Sequence, residues 1–182
     1  AFEICHQWEG VGGPGHWPDA DMLPFGHLAL RSTERGWGDR WTHFTQDEQI
    51  ALMTLWCLFR SPLMVGAELN DNDEFTLNLL TNDEVLALLS ESRNARQVYR
   101  EERYNYAGEV IVWQAENEQG ETYCAVFNCG PKARKLAVQL SSALGLEGAY
   151  TGRDLWAHEE IPVGRALEVE VPSHGARLVK LT

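Results

Sequence analysis

Between Gly12 and Gly26 the chain reads GGPGHWPDADMLPFG, which sets a histidine, a tryptophan and two aspartates among glycines and prolines. His16, Asp19 and Asp21 admit three chemistries. A histidine with two carboxylates suits a hard or borderline cation, although no second histidine stands at a helical metal-binding spacing. The two aspartates could instead form a glycosidase pair, since retaining enzymes hold their carboxyls roughly 5 Å apart, close to the reach of neighbours on one strand face. Against that pairing, an acid and a nucleophile must flank the scissile bond, which calls for carboxylates from different strand ends. The third possibility is structural: the acids bond backbone amides of the glycine-rich turn, or a substrate hydroxyl, and keep the loop in shape.

Three tryptophans widen the candidate site. Trp17, Trp37 and Trp41 offer flat apolar faces that can stack on sugar rings, beside the polar groups of Arg31, Arg35, Asp39 and Arg40. Packing between helices is the competing use for the same rings. His6, His27, His158 and His174 have no partner visible in sequence, which makes each a structural or exposed residue. The chain has neither a glycine-rich phosphate loop nor a nucleophile elbow, so nucleotide-dependent and serine-hydrolase chemistry drop out.

The elements that must position these residues follow from pattern. Proline and glycine exclude a long helix from Gly12 to Gly26, and the apolar centre Ala20–Leu23 reads as a short buried strand on which Asp19 and Asp21 share a face. Phe2, Cys5 and Trp8, with Ile4 alongside, suit the last turns of an amphipathic helix, so the chain opens in mid-element. Arg31 to Phe44 has the composition of a long surface loop. Thr45-Gln46-Asp47-Glu48 is a capping box that starts a helix, and the apolar residues from Ile50 to Phe59 surround it too widely for one free face. Ser61-Pro62 stops that helix, and Leu63–Gly66 reads as a strand buried on both faces. Asn70, Asp71, Asp73 and Glu74 can start the next helix, and Thr81-Asn82-Asp83-Glu84 reads as a second capping box.

Near Asn94 the period changes from helical to alternating, which divides the chain into residues 1–94 and 95–182. The first part alternates helix and strand, the pattern of parallel strands covered by helices. The second offers seven strands: 97–102, 109–116, 122–128, 134–140, 149–156, 166–171 and 176–181. At spacings near ten residues they form an antiparallel sandwich, with Leu167, Val169, Val171, Leu178 and Leu181 inside and Glu168 and Glu170 in water. The fold class is therefore α/β plus all-β.

Composition narrows the partners. The chain has 182 residues, 44% of them hydrophobic, and its 27 acids against 15 lysines and arginines give a formal charge of −12. Such a surface repels a phosphate backbone, so no nucleic-acid partner is expected, and a neutral or cationic ligand fits better. No apolar run approaches the roughly 20 residues of a membrane span, and no basic segment precedes an apolar one at the start. Cys124 and Cys129 fall on opposite faces of one strand and its end, while Cys5 and Cys57 sit on apolar helical patterns, so all four are expected as thiols. Free thiols and the lack of a leader pattern favour the cytoplasm.

The motifs then meet a known family. PGHWPDADML, a capped helix ending in RSPLMVGAEL, and LLTNDEVLAL resemble, in that order, three motifs of the alpha-galactosidases and alpha-N-acetylgalactosaminidases of glycoside hydrolase family 27. The tail GRDLW followed by VPSHGARLVKL is similar to the end of that family's sandwich. Pro18 and His16 stand where many members carry asparagine and glycine, which resembles a bacterial branch.

The resemblance implies that residues 1–94 are the C-terminal portion of a (β/α)8 barrel, with Met22 on the seventh strand, Leu63–Gly66 as the eighth, and the antiparallel β-sandwich following. It implies retaining hydrolysis of terminal alpha-linked galactose or N-acetylgalactosamine, with no metal or organic cofactor. The family's two catalytic aspartates follow its fourth and sixth strands, so neither is expected among these residues. A full barrel takes roughly 250 residues, far more than precede the sandwich here. Trp17, Asp19 and Asp21 are then substrate-binding residues. The expected partners are a carbohydrate and the remainder of the barrel, supplied by another chain or replaced by a second copy. The alternative function is a non-catalytic carbohydrate-binding or interaction module built on the sandwich.

Overall fold

The structure, a computed structural model, describes residues 1–32, 38–101 and 108–182. Arg35, Trp37 and Glu102 lie outside them, and so does part of the loop expected from Arg31 to Phe44.

Helix α1 (Phe2–Gln7) buries Cys5 and sets Phe2 edge-on against Phe127. A two-stranded hairpin, β1 (His27–Leu28) and β2 (Arg40–Trp41), precedes α2 (Gln46–Phe59). The predicted capping box starts α2: Thr45 Oγ1 accepts the Glu48 amide at 3.2 Å, and the Thr45 amide donates to Glu48 Oε2 at 2.8 Å. Arg60 closes the helix in the left-handed conformation. Every residue from Met53 to Phe59 is buried, because α2 lies between the large sheet on one side and Leu23, Phe25 and the following helices on the other.

Asp73 caps α3 (Glu74–Leu80) by accepting the Thr76 amide at 2.7 Å. The second capping box does not form at Thr81. Its hydroxyl turns back to donate to the Leu77 carbonyl, and Asn82 becomes the cap, accepting from the Val85 amide at 3.1 Å. Two one-turn helices follow, α4 (Asp83–Leu86) and α5 (Leu88–Glu91).

The two short strands expected at 20–23 and 63–66 are reduced to one parallel bridge, Leu23 with Val65. Asp21 has φ +82°, which turns the chain out of an extended path, so Asp19 and Asp21 do not share a strand face. Nor is the second strand buried on both faces: Met64 is 55% exposed.

Eight strands follow: β3 (Arg93–Arg100), β4 (Val110–Glu116), β5 (Thr122–Asn128), β6 (Arg134–Gln139), β7 (Gly152–Asp154), β8 (Glu159–Ile161), β9 (Ala166–Val171) and β10 (Ala176–Leu181). They make an antiparallel sandwich. Its larger sheet has the order β3-β4-β5-β10-β7-β8, and β6 pairs with β9 in the other. The sequence read one strand from 149 to 156. In the structure Asp154 Oδ1 accepts the amides of Trp156 and Ala157, and this turn folds β8 back onto β7.

Period-two alternation divides the buried strands between two cores. Ile111, Trp113 and Ala115 of β4 face α2, while Val110 and Val112 face Val138, Leu167 and Val171 of the smaller sheet. Leu181 lies between the sheets as expected, but Leu178, three residues away, points to the helices. The helix-side core runs without a break from Cys5 and Leu23 to Leu178. Cys5, Cys57, Cys124 and Cys129 are all thiols, and none is in a disulfide. No helix among the described residues is long and apolar enough to cross a membrane.

Candidate functional site

The glycine-rich stretch begins as a tight turn. Gly13 and His16 exchange backbone hydrogen bonds at 2.8 and 2.9 Å, with Pro14 supplying its fixed φ and Gly15 the left-handed φ of +89° that a type II turn needs. His16 Nε2 donates to the Val11 carbonyl at 3.0 Å, so that nitrogen is committed to the loop. Among the described residues no three histidines, cysteines or carboxylates could hold a metal ion, and His16, Asp19 and Asp21 do not make a ligand set.

Trp17 packs beneath the end of α2. The Arg60 guanidinium lies 3.9 Å from the centre of its ring, and Arg60 Nη1 donates to the Ser92 carbonyl at 2.6 Å. One indole face is thus covered by a cation rather than open to a ligand. Burial holds the Arg60 guanidinium below its ordinary pKa. A side chain at Gly12 would come within 2.8 Å of Pro18 Cδ, so glycine lets the loop close over this pair.

Asp19 and Asp21 do bond backbone amides. Asp19 Oδ1 accepts the Asp21 amide at 2.9 Å, and Asp21 Oδ1 accepts the Met22 amide at 2.6 Å. The left-handed Asp21 is held from inside the fold as well. Its carbonyl accepts from Trp56 Nε1 at 2.8 Å, and the neighbouring Ala20 amide donates to Ser61 Oγ at 2.9 Å. A left-handed non-glycine residue costs free energy, and these four hydrogen bonds offset that cost here. Both carboxylates remain on the exposed surface, beside the exposed Met22.

Beyond Leu23 the chain forms a second cluster that local sequence did not reveal. His27 is buried, with Nδ1 2.5 Å from Asp71 Oδ2 and Nε2 in a hydrogen bond to Asp39 Oδ1. Trp41 stacks on the imidazole, with ring centres 5.0 Å apart and planes 15° from parallel. A neutral imidazole carries one N–H, so donation to both carboxylates requires the cation. The hydrogen bond to Asp39, and then that to Asp71, raises the His27 pKa above its ordinary value. Asp39 lies twelve residues away and Asp71 forty-four, on a different loop, so no spacing rule could have joined them.

The fold and these motifs can be set beside known proteins. A sequence profile of the alpha galactosidase C-terminal beta sandwich domain matches residues 107–181. A family 27 β-L-arabinopyranosidase of Geobacillus stearothermophilus is 47% identical and superposes with a TM-score of 0.90, over 100% of this chain and 40% of that one. This chain belongs to glycoside hydrolase family 27.

Its alpha-galactosidase relatives agree. Alpha-galactosidase D of Emericella nidulans is 31% identical over 174 residues, covering 93% of the chain and 23% of that protein. An alpha-galactosidase of rice is 27% identical over 188 residues, covering 97% of the chain and 38% of that protein. The chain therefore spans well under half the length of the curated relatives it matches. The family's C-terminal domain is the antiparallel sandwich described above, preceded here by the helical layer that carries Asp19, Asp21 and His27.

Proposed function

We propose that this chain is the C-terminal part of a retaining glycosidase, its first half completing a (β/α)8 barrel, that acts on terminal pyranosides of galacto configuration. The observation that carries this reading is the 47% identity with the arabinopyranosidase across the whole chain. A β-L-arabinopyranoside has the ring configuration of an α-D-galactoside and lacks only its hydroxymethyl group. One pocket wall can therefore serve both sugars, and α-linked N-acetylgalactosamine differs from galactose only at C2.

Asp21 reaches the substrate from the rim, Asp19 fixes Asp21 through its amide, and Trp17 braces the loop under Arg60. Neither aspartate is the nucleophile or the acid. Double displacement needs two carboxyls about 5 Å apart across the scissile bond, and these two are spent on consecutive backbone amides of one loop. The catalytic pair comes from sequence outside these residues, and no metal or organic cofactor takes part. The exposed Ile4, Trp8, Val11, Met22 and Met64 support a covering partner, either the remainder of the barrel or a second copy.

A chimera that places the preceding portion of the Geobacillus enzyme ahead of Ala1 tests this. Turnover of aryl β-L-arabinopyranoside and aryl α-D-galactopyranoside is expected, with a large loss on Asp21→Ala. A folded chimera that turns over neither substrate sinks the reading.

A further inference from the structure

Leu23 and Val65 are parallel, so the segments that follow them leave the same end of the fold. In barrels that end carries the loops that bind substrate. The two loops here are fastened to each other at three levels. The Glu68 amide donates to the His27 carbonyl at 2.9 Å, joining their backbones. Gly26, at φ +64°, packs so closely that a side chain there would come within 2.6 Å of Asn72 Oδ1 and 3.2 Å of Thr76 Cγ2. His27 then binds Asp39 of its own loop through one nitrogen and Asp71 of the other through the second.

We propose that His27, as an imidazolium shared between Asp39 and Asp71, is a positioning residue that clamps these two loops together and presents Trp41 as an aromatic wall for the pyranose ring. What the clamp is for rests on the glycosidase reading; the clamp itself does not. The charge surroundings favour the cation. Asp39 and Asp71 face the ring directly, one on each nitrogen. Arg40, on the strand paired with His27's own, directs Nη1 at the Gly38 carbonyl at 3.2 Å. Trp41 is 46% exposed even with one face on the imidazole, which leaves indole surface for a ligand.

The sign of the pH dependence follows. A histidine whose folded pKa is raised contributes fully below its unfolded value of about 6.5 and loses that contribution as pH rises through the folded value. The clamp is closed below the ordinary histidine value and opens as pH rises through the raised one.

The test uses the 182-residue chain. His27 Cε1–H is followed by NMR as pH rises, in the native chain and in Asp39→Asn and Asp71→Asn. Titration above the ordinary histidine value, brought down by each variant, is expected, with recovery in Asp71→Glu. Indole emission should rise with the same midpoint, because a stacked imidazolium quenches it, and that component should vanish in Trp41→Phe and in His27→Gln. A His27 titration at the ordinary value, unmoved by either asparagine, overturns the proposal; so does emission that ignores the titration. Adding L-arabinose or D-galactose at acid and alkaline pH separates the two readings. Tighter binding in acid supports the positioning role, and equal binding at both pH values overturns it. Binding of neither sugar, with the titrations as expected, counts against the glycosidase reading and leaves the clamp standing.

Discussion

Replacing Glu84 by glutamine asks what ties the helical layer to the sandwich. Glu84, on α4, accepts from Arg153 of β7 through Nε at 2.5 Å and Nη2 at 2.7 Å, and from His158 Nδ1 at 2.6 Å. Arg153 first, and then His158, holds the carboxyl down at about 2, against an ordinary 4.5. A carboxylate depressed in this way stabilises the fold above its unfolded pKa and loses that contribution as pH falls through the folded one. The window here runs from about 4.5 down to about 2. Charge-assisted bonds contribute more than neutral ones, but the Glu84 side chain is still 30% exposed and water screens it. A cost of about 1–2 kcal/mol for Glu84→Gln at neutral pH is the reasonable scale. Urea unfolding of both proteins at neutral pH and at several acid values measures it. The gap should be widest at neutral pH and close as the medium approaches the lower end of the window. A gap that stays constant with pH, or none at neutral pH, refutes the assignment of this stability to the ionised carboxyl.

Three further outcomes follow from single contacts. Thr45→Ala removes one side of the α2 capping box and should lower stability by about 1 kcal/mol in urea, with Thr45→Ser recovering most of it. Trp56→Phe leaves the Asp21 carbonyl without its indole donor and should raise amide exchange at Ala20–Leu23 while costing about 1 kcal/mol; unchanged exchange there contradicts the anchoring role. Sedimentation of the isolated chain should show association through the exposed Ile4, Trp8 and Met22 face, and a monomer across a wide concentration range argues against a covered face.

What could be read from sequence was what chemistry fixes locally. The Thr45–Glu48 box depends on four consecutive residues, and it formed as expected. The alternation of β4 gave its position to within one residue of its observed start. Failures came where a residue had two possible partners or a distant one. Thr81 had the right sequence for a cap, but a single residue separates it from the next helix, and its hydroxyl went to the preceding turn instead. The left-handed Asp21 was invisible because its cost is met by Trp56 and Ser61, thirty-five and forty-one positions along the chain from the groups they bond. β8 is only Glu159-Glu160-Ile161, too short for any period to show, and depends on the turn that Asp154 makes. Of the candidate site, the acids' bonding to loop amides was legible, whereas the cation over Trp17 and the carboxylates on His27 come from residues 12 to 44 positions away, beyond any local pattern.

The most direct test of the account is the activity of the chain by itself. If the catalytic carboxylates lie outside these residues, the purified 182-residue protein hydrolyses neither aryl β-L-arabinopyranoside nor aryl α-D-galactopyranoside. Turnover of either substrate by this chain, abolished by Asp19→Ala or Asp21→Ala, would place the chemistry in the Gly12–Gly26 loop and contradict the account.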